Sequence, residues 1–134
     1  MNILLIGGGG REHAMAMKMA ESTLCDRLYC SPGNPGTDVC AENVSLDLED
    51  MEALWRFLEE NAIDLIVSGP EQPLVDGLHD RMLESGALNG RFFFGPEQAG
   101  AQLEGSKDFA KEFMARNQIP TAAYRSFHAA EKQQ

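Results

Sequence analysis

Short unbroken apolar runs alternate along the chain with longer stretches whose apolar residues recur every three or four positions. Ile3 to Ile6 is a run of strand length, the pattern of a strand covered by helices on both faces. Four glycines follow, and a helix is expected from Arg11 to about Ser22, where Ala14, Met15, Ala16, Met17, Met19 and Ala20 leave Lys18 as the polar exception. That helix is expected to be largely buried, its methionines filling core space. Arg27 to Cys30 reads as a second strand, stopped by turn chemistry from Ser31 to Thr37. Asp47 is the expected N-cap of a helix with Leu48, Met51, Trp55, Leu58 and Ala62 on one stripe, Trp55 serving as a core anchor. Ile63 to Val67 is the next strand, Leu74, Leu78 and Met82 mark a helix ending near Gly86, and Phe92 to Phe94 is a further strand.

This alternation predicts a parallel sheet with right-handed crossovers. Past Gly95, Gln98 to Leu103 reads as a short helix. Ser106 then caps another, with Phe109, Ala110, Phe113 and Met114 as its buried face. Pro120 ends it, and Thr121 to Phe127 reads as one more strand with no partner strand after it, so the sequence is expected to be a fragment. It shows no internal repeat and no low-complexity tract.

Composition narrows the function classes. The 134 residues suffice for one domain with a real core. Eleven Lys and Arg against twenty-one Asp and Glu give a net charge of −10, a field that repels nucleic-acid backbones and anionic lipids. No nucleic acid and no membrane are expected as partners. Cys25, Cys30 and Cys40 are odd in number and lack CxxC spacing, which argues against a disulfide framework or a zinc site. They read as small buried hydrophobes in a protein of the reducing cytoplasm.

Open parallel sheets bind ligands at the carboxyl ends of their strands. Here those ends are Gly7 to Glu12, Ser31 to Gly36, Ser68 to Glu71 and Gly95 to Glu97. The glycine run lacks the third glycine of G-x-G-x-x-G, since Glu12 or His13 stands in its place. No carboxylate lies between Leu28 and Gly33 to hold a ribose. No GKS or GKT is present either. A single phosphate or phosphosugar remains for this loop, alongside the plainer reading of glycines that merely make a tight turn. Gly-Pro-Glu occurs twice, and for Glu97 a helix start explains it. Glu71 could grip an amine or vicinal hydroxyls, or could equally serve only as a helix start. His13 could be a ligand, but a lone histidine early in an apolar helix reads more simply as a core residue, and His79 and His128 have no partner set. Lys107 opposes the dipole of the helix it begins, a hint of another purpose.

Five motifs stand in order: I-G-G-G-G-R-E-H-A from Ile6, S-P-G-N-P-G-T from Ser31, G-P-E-Q-P-L from Gly69, L-E-G-S-K from Leu103 and I-P-T-A-A-Y from Ile119. Together they resemble the amino-terminal part of the glycinamide ribonucleotide synthetases, the phosphoribosylamine–glycine ligases of purine synthesis, over essentially the whole chain. The resemblance implies an α/β fold, three-layer α/β/α with an open, mainly parallel Rossmann-like sheet that precedes ATP-grasp domains. It implies a substrate domain over residues 1–103, with 104–134 as a linker helix and the start of the ATP-grasp region. The implied reaction joins 5-phosphoribosylamine to glycine through glycyl phosphate, with ATP cleaved to ADP and phosphate. Gly8, Gly9, Gly10 and Arg11 would surround the phosphate, Glu71 would face the sugar or amine, and Glu12, Asn34 and Pro73 would complete the substrate-binding set. Lys107 would reach the ATP phosphates. The metal ligands for Mg (or Mn) would lie beyond residue 134, so the fragment alone is expected to be inactive and to bind no cofactor strongly. The full-length enzyme is expected to be a monomer. A dinucleotide-binding domain and a non-catalytic nucleotide-sensing or interaction module are the rival readings.

Overall fold

The computed structural model describes residues 1–125. Five strands form one sheet in the order β3-β2-β1-β4-β5: β1 Asn2–Gly7, β2 Arg27–Pro32, β3 Glu42–Asn43, β4 Ile63–Ser68 and β5 Phe92–Phe94. Every pairing is parallel. The helices are α1 Gly10–Ala20, α2 Met51–Glu60, α3 Gln72–Val75, α4 Leu78–Glu84, α5 Gln98–Gly105 and α6 Lys107–Arg116. The expected α/β class and parallel sheet are what the chain adopts.

Period-two alternation divides β1 between two cores. Leu4 and Ile6 face Leu54 and Leu58 of α2 and Leu78 and Met82 of α4. Ile3 and Leu5 join Leu28, Cys30 and Val67 beneath Ala16 of α1. Helices therefore cover both faces, which is why β1 is apolar without a break.

Several expectations need correction. Helix α2 is capped by Asp50, which accepts from Ala53 N–H, while Asp47 accepts from Glu49 N–H a turn earlier. Trp55 is 47% exposed rather than a core anchor, because the face that meets the sheet is centred on Leu54 and Leu58, about 60–100° around the helix from it. Helix α1 buries only Glu12 and Ala16, and Met17 is 52% exposed, since no described layer covers its outer side. The expected helix from Leu74 to Gly86 is broken at Gly77, whose φ of 83° no helix accommodates. No residue of α6 is buried; this helix packs mainly on α5, which leaves Phe109 exposed and Phe113 and Met114 half-covered. The last expected strand is not formed over 121–125, and Ser126 and Phe127, like His128, lie outside the described residues.

All three cysteines are free thiols; Cys30 is buried, Cys25 and Cys40 half-buried. Burial, reinforced by neighbouring Cys40, pushes the Cys30 thiol from the ordinary 9.0 up to about 11. Its folded pKa is raised, so the stabilising contribution is full below pH 9 and is lost as pH climbs to about 11. Denaturant unfolding at pH 7, 9 and 11 should show stability falling across the upper interval. Cys30→Ala should flatten that fall; an unchanged slope would assign it to other groups.

Candidate functional site

The chain leaves β1 toward β2 and β3 on one side and reaches β4 and β5 on the other. The carboxyl ends of β1 and β4 thus flank the switch point of the sheet, where open α/β folds form their crevice. Three loops meet there. Gly33 N–H, after β2, donates to Gly7 O at 3.2 Å, and Gly69 N–H, after β4, donates to Ile6 O at 2.9 Å.

Glu12 lies beneath this junction, in the first turn of α1 and only 4% exposed. Its Oε2 accepts from Gly9 N–H at 2.7 Å, satisfying one of the orphan donors at the helix start as a capping-box glutamate does. A Cβ would come within 2.4 Å of the Glu12 side chain at Gly7, 2.5 Å at Gly69 and 2.8 Å at Gly9. Gly7 and Gly69, in two loops, are therefore required by one buried side chain, whereas Gly9 meets only the end of its carboxylate. The residue standing where a dinucleotide fingerprint has its third glycine fills the space under the loop and takes the Gly9 N–H for itself.

Asn34 ties the second loop to the first. Its Nδ2 donates to Gly8 O at 3.0 Å and Gly9 O at 3.2 Å, and its Oδ1 accepts from Gly36 N–H at 2.7 Å and Thr37 N–H at 3.1 Å. All four hydrogen-bonding positions of the carboxamide are used on backbone. Behind it, Thr37 Oγ1 accepts from Asn34 N–H at 2.8 Å, and Asn43 Nδ2 donates to Asn34 O at 2.8 Å. Thr37 and Asn43 were not singled out from the sequence. Their role depends on the loop returning to β3, and the Asn-x-x-Thr spacing of a side-chain-closed turn was the available signal.

Arg11 and Glu71 are the charged groups at the rim. Arg11 Nη2 lies 3.7 Å from Glu71 Oε2, and Arg11 Nε lies 3.5 Å from Glu12 Oε1. Glu71 occupies the N-cap of α3 without making a side-chain cap bond, so its carboxylate remains available to a ligand. Pro73 follows in the first turn of α3. The structure thus brings Gly8, Gly9, Gly10, Arg11, Glu12, Asn34 and Glu71 to one edge, with Pro73 adjoining. Lys107 stands elsewhere, exposed on the first turn of α6 beside the capping Ser106.

His13 is not the expected core residue: it is half-buried on the outer part of α1 and borders a groove of about 470 Å³ with Met17, Val39 and Cys40. His79 stacks on Phe93 with centroids 4.3 Å apart. Among the described residues no group of three or more His, Cys, Asp or Glu could hold a metal ion, and no helix is long and apolar enough to cross a membrane. What the edge can offer is a guanidinium, an open carboxylate and the free N–H groups at the start of α1, a set suited to a small ligand carrying both acceptors and donors.

A family model described as "Phosphoribosylglycinamide synthetase, N domain" matches residues 1–104. The phosphoribosylamine–glycine ligase of Agrobacterium fabrum is 55% identical over 131 residues, 98% of this chain and 30% of the relative. That of Haemophilus influenzae is 49% identical over 133 residues, with the same shares covered. The crystal structure of phosphoribosylamine–glycine ligase from Thermotoga maritima superposes with a TM-score of 0.64 at 28% identity, covering 92% of this chain and 26% of that one. The chain spans about 30% of the length of the curated relatives it matches.

Proposed function

The chain belongs to the phosphoribosylglycinamide synthetase N-domain family, and on that premise we propose that it is the phosphosugar-binding part of a ligase joining 5-phosphoribosylamine to glycine with cleavage of ATP. The observation that carries this reading is the meeting of the glycine loop, Arg11 and Glu71 at the switch point between β1 and β4. In this reading the backbone N–H groups of Gly8 and Gly10 and the Arg11 guanidinium receive the phosphate, while Gly9, its own N–H held by Glu12, shapes the turn between them. Glu71 accepts from the sugar hydroxyls or the amine, and Pro73 fixes the turn that presents it. Asn34 and Glu12 hold the loops in place. Residues 1–103 form the substrate domain, and 104–134 lead into the nucleotide-binding region, where Lys107 would meet the ATP phosphates.

ATP and its Mg or Mn ion supply the activation of the glycine carboxylate in this reaction. The described residues offer no ligand cluster for the ion. This chain's own work is to bind the phosphoribosylamine and orient its amine. Dinucleotide binding fits less well, because Gly9 N–H is already committed to Glu12.

Ribose 5-phosphate, a stable stand-in for the labile amine, tests the reading by amide NMR. Titration should shift the signals of Gly8 to Arg11 and Glu71 and leave β5 unchanged. Silence at the loop, with a response to NADH instead, would overturn it.

A further inference from the structure

The Glu12 carboxylate is divided between two environments. Oε2 holds Gly9 N–H at 2.7 Å, whereas Oε1 is buried without a hydrogen-bond partner, and the cation beside it is Arg11, with Nε at 3.5 Å. A buried carboxylate is poorly screened, and it draws a nearby cation far more firmly than a surface pair does. On its other side Arg11 reaches toward Glu71 with Nη2 at 3.7 Å. The guanidinium is thus suspended between a carboxylate inside the fold and one at its rim, with Nη1 making no hydrogen bond among the described residues.

We propose that Glu12 is a positioning residue: it touches no ligand, but through its buried charge it holds Arg11 over the glycine loop in the orientation that receives the phosphate. The proposal rests on the phosphosugar reading above. A long exposed arginine otherwise samples many rotamers, and fixing it beforehand removes an ordering cost from binding. The same side chain fixes the Gly9 amide, so one residue sets both the backbone and the cationic parts of the site.

Glu12→Gln keeps the volume and leaves an amide oxygen to accept from Gly9 N–H, while removing the charge. It should weaken ribose 5-phosphate binding about tenfold and change the chemical shift and exchange rate of the Arg11 Nε–H signal. In an Arg11→Ala background the Glu12→Gln change should have no further effect on affinity. Arg11→Lys, an exposed substitution that leaves the fold intact, should lose a similar factor because lysine has no Nε to anchor. Equal affinity of wild type and Glu12→Gln would overturn the proposal, as would an undiminished Glu12→Gln effect in the Arg11→Ala background. Should wild type itself fail to bind ribose 5-phosphate, the phosphosugar reading falls. The Arg11 Nε–H signal then still decides whether Glu12 orients the guanidinium.

Discussion

Gly8→Ala is expected to lower the melting temperature by about 10 °C, whereas Gly10→Ala, two residues along the same run, should leave it unchanged or raise it slightly. A Cβ on Gly8 would stand 2.6 Å from Gly33 O and 3.4 Å from Gly33 C. Both are backbone atoms, so no side chain can swing aside. Gly33 cannot retreat either: its N–H is bound to Gly7 O at 3.2 Å, and it adopts a φ of 70° against Asn43. The loops after β1 and β2 would have to part, at a cost of about 2–3 kcal/mol out of a total of about 5–15. A Cβ on Gly10 meets nothing within 4 Å, and at the start of α1 alanine is the better helix former by up to about 1 kcal/mol. Thermal melting of the two variants checks the contrast. Ribose 5-phosphate titration then separates packing from binding at Gly10, because a variant that melts normally yet binds weakly has lost room for the ligand alone.

The contrast also explains what was legible in the sequence. Strands β1, β2, β4 and β5 were readable because each carries a short apolar stretch bounded by turn residues, a local signal. Strand β3 was not, since Glu42 and Asn43 carry no apolar pattern and pair with Tyr29 and Cys30 only after the loop closes. The N-cap at Ser106 is readable because its acceptor bond to Phe109 N–H is local, while Trp55 shares the expected stripe with Leu58 and only the sheet decides that burial centres on Leu54 and Leu58 instead. In the site, the glycine run and Gly-Pro-Glu were visible as turn chemistry. The burial of Glu12 was not, because the room for its side chain is left jointly by Gly7 and Gly69 from two separate loops. The missing third glycine is visible in the sequence; that the residue in its place shapes the loop is visible only in three dimensions.

Asn34→Ala is expected to be the most damaging polar substitution at this edge, costing about 2–4 kcal/mol. Four backbone groups lose a partner at once: the carbonyls of Gly8 and Gly9 and the N–H groups of Gly36 and Thr37. Asn34→Asp divides the loss. The aspartate still accepts from Gly36 and Thr37, so the turn after β2 should persist, with those two amides keeping their hydrogen-exchange protection. It cannot donate, however, and it sets a negative charge against two carbonyl oxygens, which should release the glycine loop and with it the ribose 5-phosphate affinity. Asn34→Ala should lose both protection and affinity. Should Asn34→Asp bind ribose 5-phosphate as well as wild type, the tether from Asn34 to the glycine loop would be dispensable, and preorganisation of that loop would have to come from Glu12 alone.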